Sequence, residues 1–168
     1  DTELGRIFFH RPDPKKIVTV PTPLLYSSGL VVAKKAKALP VKIEDLSGQK
    51  VVAMRGTTWA ADLAETVAID IQYASSPSSA VKMLSYGRID YLLIGKVRLS
   101  VMKATGLLKE SDFQSRELFR LPVLLPLNIR KQHLIPVLDE AIQSLKRDKV
   151  IETRMKQWLR TQNADPKN

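Results

Sequence analysis

Apolar and polar positions change rhythm several times along the chain, and each change marks an element. Lys50-Val51-Val52-Ala53-Met54 is a short, β-branched apolar run, and Arg55-Gly56 ends it. Thr57-Thr58 then opens a segment with Trp59, Leu63 and Val67 at helical spacing. The pattern predicts a strand over 50–54, a glycine turn and a helix over 59–67. Ile69-Asp70-Ile71-Gln72-Tyr73 alternates as a half-buried strand does. Ser76-Pro77 supplies an N-cap and a first-turn proline for a helix through Ser85, closed by Gly87. Asp90 to Ile94 reads as the next strand, with a turn at Gly95 and a helix through Ala104.

The flanks are less regular. Pro12, Pro14, Pro21 and Pro23 keep residues 1–28 irregular, with Ile17 to Val20 as one candidate strand. Leu30 to Ala33 reads as a buried strand ending at Lys34-Lys35, and Ile43 to Leu46 as one helical turn before Ser47-Gly48. Two extended segments are expected at 117–121 and 123–129. Leu134, Val137, Leu138, Ala141, Ile142 and Leu145 form one apolar stripe at helical spacing. A last short helix carries Ile151, Met155, Trp158 and Leu159, and the polar tail from Thr161 is expected to fray.

Strands alternating with helices from residue 50 to 104 argue an α/β fold with parallel neighbours. In such sheets ligands sit outside the carboxyl ends of the strands. Met54 to Thr58 and Ile94 to Lys96 lie at two such ends. At the first, backbone N–H groups and two hydroxyls meet the positive end of a helix dipole, which suits a carboxylate, phosphate or sulfate. Threonine is also an ordinary helix N-cap, so capping is the competing reading of Thr57 and Thr58.

Composition narrows the classes. The 168 residues suffice for one domain with a core, or for two small lobes. With no cysteine, disulfides, thiol catalysis and thiolate metal sites are excluded. No apolar run reaches the length of a membrane span. Asp1-Thr2-Glu3 does not open like a secretory leader, which suits a cytoplasmic chain or a mature exported one. The net charge of +10 is spread as pairs such as Lys15-Lys16, Lys34-Lys35, Arg130-Lys131 and Lys146-Arg147. Few aromatics are interleaved with them, so a solvated basic surface is expected rather than a nucleic-acid interface. His10 lies in a proline-rich loop and His133 at a helix start. With no Ser-His-Asp set, carboxylate-rich metal cluster or phosphate loop, binding without chemistry is the expectation, and no cofactor is implied.

The order of the pieces resembles the bacterial periplasmic solute-binding proteins of family 3, the polar amino-acid-binding type. The resemblance rests on Leu30-Val31-Val32-Ala33-Lys34-Lys35, on residues 43–51, on Arg55-Gly56-Thr57-Thr58, on residues 80–90, and on Leu145 to Asp148 with Lys156-Gln157-Trp158-Leu159. It implies two α/β lobes that close on a ligand, periplasmic location, and delivery to an ABC importer or a sensor. Gly56, Thr57 and Thr58 would hold the ligand carboxylate. Arg55 and Trp59 flank that seat, or are a solvated arginine and a core tryptophan. The implied division is a remnant of the first lobe and hinge approach over 1–29, the second lobe with hinge strands over 30–128, C-terminal helices over 129–160 and a tail over 161–168.

Three departures shape the expectation. The family's ammonium-binding acidic residue falls at Gly95, followed by Lys96, while Asp90 matches a structural aspartate at the strand start. An α-ammonium group would lack its partner there, so a carboxylate or another anion fits better. No arginine in Arg11 to Lys16 aligns with the family's first-lobe clamp, and against the family pattern the chain begins near the end of that lobe, which implies either a fragment or a reduced first lobe. The C-terminal apolar stripe then needs a cover, for which a second copy of the chain is one candidate. Two other readings stay open: a binding-protein-like interaction module with an acidic protein partner, and the effector domain of a transcription regulator.

Overall fold

In the computed structural model, residues 6–7 and 12–164 are described. The chain divides into two units, Asp1–Ser27 with Leu121–Asn168, and Ser28–Arg120. The strands are β1 (Arg6–Ile7), β2 (Ile17–Thr19), β3 (Leu25–Lys34), β4 (Val51–Met54), β5 (Ile71–Ala74), β6 (Tyr91–Gly95), β7 (Phe113–Leu124) and β8 (Pro126–Asn128). The α-helices are α1 (Thr58–Val67), α2 (Pro77–Ser85), α3 (Lys96–Ala104), α4 (Ile135–Arg147) and α5 (Val150–Ala164). Six strands form one sheet in the order β1-β7-β3-β6-β4-β5, and β2 pairs with β8 separately.

The second unit carries the βαβ pattern. β4 runs parallel to both β5 and β6, with Val51 opposite Ile71 and Tyr91. β3 runs antiparallel to β6, placing Leu30 opposite Ile94 and Gly29 opposite Gly95. β4 is buried along its whole length and β6 up to Ile94, as expected of strands covered on both faces. Val32, Val52, Leu92 and Ile94 pack with Ala80, Val81 and Leu84 of α2 and with Leu99 and Met102 of α3. The alternation over 69–73 resolves differently at the sheet edge: Ile69 and Ile71 are buried, but Tyr73 is exposed and Ala74 closes β5 inward.

The amino ends of β4 and β6 are tied by polar contacts. Asp90 accepts from the Lys50 N–H at 3.1 Å and from Lys37 Nζ at 3.0 Å. The Tyr91 hydroxyl donates to the Ala38 carbonyl at 2.8 Å, and Lys37 Nζ lies 5.3 Å from the centre of the Tyr91 ring. Gln114 Nε2 meets the carbonyls of Lys34, Lys35 and Lys37. The strand-start aspartate is therefore a structural tie on this side of the sheet.

The first unit is assembled from both ends of the chain. β2 and β8 pair antiparallel, Val18 opposite Leu127. Val20, Leu127 and Ile142 form its core, with Val18, Leu24, Leu125, Ile135 and Leu138 packed around them. The Thr22 N–H donates to Asp139 Oδ1 at 2.8 Å, and Gln143 Nε2 to Asp139 Oδ2 at 2.8 Å. A hydrogen bond from the Thr22 side chain, then those from its N–H and from Gln143, hold the Asp139 carboxyl below its ordinary range.

Several expectations change here. β3 starts at Leu25, inside the segment expected to be irregular, because the Leu24 N–H reaches the Val123 carbonyl at 2.9 Å. The first extended segment is part of β7, which runs on through Pro122 to Leu124 because the fixed φ of proline suits extended backbone, whereas Pro126–Asn128 of the second segment forms the separate strand β8. His133 sits in a 3-10 turn over Ile129–Leu134, ahead of α4. The predicted single stripe on α4 is two stripes: Ile135, Leu138 and Ile142 face the core, whereas Leu134, Val137 and Leu145 are exposed. The last helix is 15 residues long and continues through Ala164, beyond where fraying was expected. His10, Arg11 and the tail beyond residue 164 lie outside the described residues, as does the Leu159 side chain.

Candidate anion site

Three helices start at one edge of the second unit. Parallel β4, β5 and β6 are followed by α1, α2 and α3, so their N-termini gather at the carboxyl ends of adjacent strands. Each end presents N–H groups without intrahelical partners and the positive pole of a helix dipole. None of the three has an acidic residue in its first turn. Arg55 precedes α1, and Lys96 and Arg98 open α3.

The turn into α1 is set by Gly56. The Thr57 N–H donates to the Met54 carbonyl at 3.1 Å, closing a β-turn over 54–57 with Gly56 at φ +82°. That is the third position of a type II turn, which glycine occupies without strain. The Arg55 N–H donates to the Ala74 carbonyl at 2.9 Å, fastening the turn to β5. Arg55 and Gly56 are exposed and Thr57 is half-buried.

Thr57 occupies the N-cap position of α1, yet its side chain makes no capping bond. At α2 the equivalent residue, Ser76, accepts from the Ser79 N–H at 3.1 Å. The capping reading of Thr57 is thereby corrected: its φ of −81° and ψ of 89° depart from the usual extended cap, whereas Ser76 at −146° and 155° has it. Thr58 is the first residue of α1, and its side chain lies outside the described residues.

Gly95 is the N-cap of α3 and has no side chain to cap with. A Cβ placed there would meet nothing within 4 Å, so open space adjoins its backbone. The strands bring Arg55, Gly56, Thr57 and Gly95 to one edge. Trp59 turns inward instead: it is buried and meets the Phe119 ring edge-on, centroids 5.1 Å apart at 77°.

Two residues here were not anticipated. Phe119, on β7, lies over Gly29 of β3: a Cβ on Gly29 would stand 2.0 Å from the ring's Cζ. A glycine inside a strand pattern signals such a close approach, so Ser28-Gly29-Leu30 held that clue. Among the described residues, no group of His, Asp and Glu could hold a metal ion, and no helix is long and apolar enough to cross a membrane.

Comparison with solved structures decides the architecture. The chain superposes on the GluR0 ligand-binding core in complex with L-glutamate with a TM-score of 0.65 at 18% identity, covering 86% of this chain and 64% of that one. A histidine kinase sensor domain with similarity to periplasmic binding proteins gives 0.70 at 20% identity, covering 95% and 69%. An amino acid ABC transporter substrate-binding protein from Streptococcus pneumoniae, bound to L-arginine, gives 0.60 at 18% identity, covering 88% and 63%. The fold is that of the periplasmic binding proteins.

Within the periplasmic-binding-protein fold this chain spans about two thirds of the length of the structures it matches. No family model matches the sequence, and no curated protein does. The α/β architecture expected from the strand–helix alternation is the one observed.

Proposed function

We propose that this chain is the ligand-binding part of an extracytoplasmic solute-binding or sensor protein of the family 3 type. Its second unit binds a small anion at the carboxyl edge of β4 and β6. The observation that carries this reading is the Thr57 hydroxyl, which stands at the start of α1 without serving as its cap. A hydroxyl so placed can donate to an anion that also accepts from the first N–H groups of the helix.

The surroundings support the same ligand class. Arg55 and Lys96 add positive charge, and no first-turn carboxylate opposes it. Gly95 leaves space but offers no carboxylate to an ammonium group, so a carboxylate or inorganic anion is favoured over a zwitterionic amino acid. Gly56, Thr57 and Thr58 would form the seat, with Arg55 and Gly95 beside it and Trp59 holding it from within. The ligand is bound and released unchanged, in the periplasm, with an ABC permease or a signalling domain as downstream partner.

The test is a thermal-shift and calorimetric screen of the wild-type chain with sulfate, phosphate, dicarboxylates and polar amino acids. A ligand at 100 times its Kd stabilises the folded state by about 2.7 kcal/mol. Stabilisation by an anion that disappears in Thr57→Ala is the expected result. Equal stabilisation of wild type and Thr57→Ala, or none by any compound, would overturn the proposal.

A further inference from the structure

Phe119 belongs to β7, and Gly29 to β3. These are the two strands that cross the unit boundaries, at residues 27–28 and 120–121. Phe119 is the second-last residue of the second unit, and Gly29 is its second residue. The ring over Gly29 therefore joins both crossing strands at the point where they enter and leave this unit. The same ring meets Trp59, the second residue of α1.

The fit depends on a missing side chain. A Cβ on Gly29 would lie 2.0, 2.3 and 2.7 Å from Cζ, Cε1 and Cε2 of Phe119. No real Cβ tolerates such distances, so only glycine lets the ring sit here. The ring in turn offers its partner an edge-to-face contact, an arrangement aromatic pairs prefer. Trp59 is buried, and it is two residues from Thr57 in the first turn of the helix. Fixing the indole thus fixes the backbone that carries the seat's N–H groups.

We propose that Phe119 is the positioning residue of the anion seat, acting through Trp59 and admitted by the bare backbone of Gly29. The inference rests on the anion-binding reading of Thr57 for its functional consequence. It also makes a claim about the first turn of α1 that holds without ligand.

The three close atoms are the outer part of the ring, which leucine lacks. That makes a double substitution informative. Gly29→Ala should lower Tm by several degrees in the wild-type background and by much less in Phe119→Leu, because the obstructing atoms are gone. Affinity for sulfate and succinate, the probes used, should fall at least tenfold in Phe119→Leu and stay low in the double variant. Phe119→Tyr, which keeps the ring, should retain binding.

If Phe119→Leu binds a probe as tightly as wild type, the ring is only packing and the proposal is overturned. If wild type binds neither probe, the anion-site reading fails for them, and amide exchange decides the positioning claim. Faster exchange at 59–61 in Phe119→Leu, with β4 unchanged, supports it. Unchanged exchange at 59–61 overturns it.

Discussion

Lys37 Nζ stands 3.0 Å from Asp90 Oδ1, across 53 residues of sequence, and closes the amino end of β6. The hydrogen bond from Lys37, then that from the Lys50 N–H, holds the Asp90 carboxyl below its ordinary range. The bond to Asp90 raises Lys37 above its ordinary 10.5. A lowered carboxylate stabilises fully above its unfolded-state value, and the contribution is lost as pH falls through the folded value. A raised lysine stabilises fully below its unfolded-state value, and the contribution is lost as pH rises through the folded one. Both side chains are about a third exposed, so solvent screens the pair. Asp90→Asn should cost about 1 kcal/mol in urea unfolding at pH 7. The gap should shrink in acid, as the wild-type carboxylate protonates; an equal gap at pH 2 would remove Asp90 ionisation as its cause.

Gly56 offers a purely conformational test. A Cβ there would meet nothing within 4 Å, but its φ of +82° is costly for any other residue. Gly56→Ala should destabilise by roughly 1–2 kcal/mol, the usual penalty of the left-handed region. Urea unfolding of the pair measures it, and a neutral outcome would show that the turn adopts another conformation at little cost.

Two helix starts should respond differently to loss of a hydroxyl. Ser76→Ala removes a capping bond and should cost about 1 kcal/mol. Thr57→Ala removes no capping bond and should change stability by less than about 0.5 kcal/mol, as substitutions away from such features usually do. Equal losses in chemical denaturation would show that Thr57 caps α1 in solution.

Leu92, fully buried in β6, and Val137, 68% exposed on α4, separate core from surface. Leu92→Ala should destabilise by about 2–5 kcal/mol through lost burial and a cavity. Val137→Ala should stay within about 0.5 kcal/mol, since the side chain is already in solvent. A large loss at Val137, measured by the same unfolding transition, would reveal that its face is covered in solution.

Local signals made most of the second unit legible. The apolar run before Arg55-Gly56, the Ser76-Pro77 start and the strand ending at Gly95 each carry their cause within a few residues. The glycine turn and helix start at Met54 to Thr58, where we propose the seat, were visible for the same reason. Long-range facts were not. The role of Gly29 depends on Phe119, ninety residues later, and β3 is longer than expected because its first residues lie beside a distant strand. The divided stripe of α4 shows the same limit. Periodicity identifies apolar positions on a helix, whereas the partners available decide which of them are buried. Whether a threonine caps its helix depends on φ and ψ at one residue, which the sequence motif does not specify.

The discontinuity of the first unit has a consequence for how the chain comes into being. Residues 28–120 are one unbroken stretch, so that unit has all its parts once they have left the ribosome. β2 must wait for β8, more than a hundred residues later, before Val18 finds Leu127. Until then Val18 and Val20 are apolar residues without their core. Synthesis and assembly of the first unit therefore run out of step, and β2 stays without its partner strand until residues 126–128 have been made.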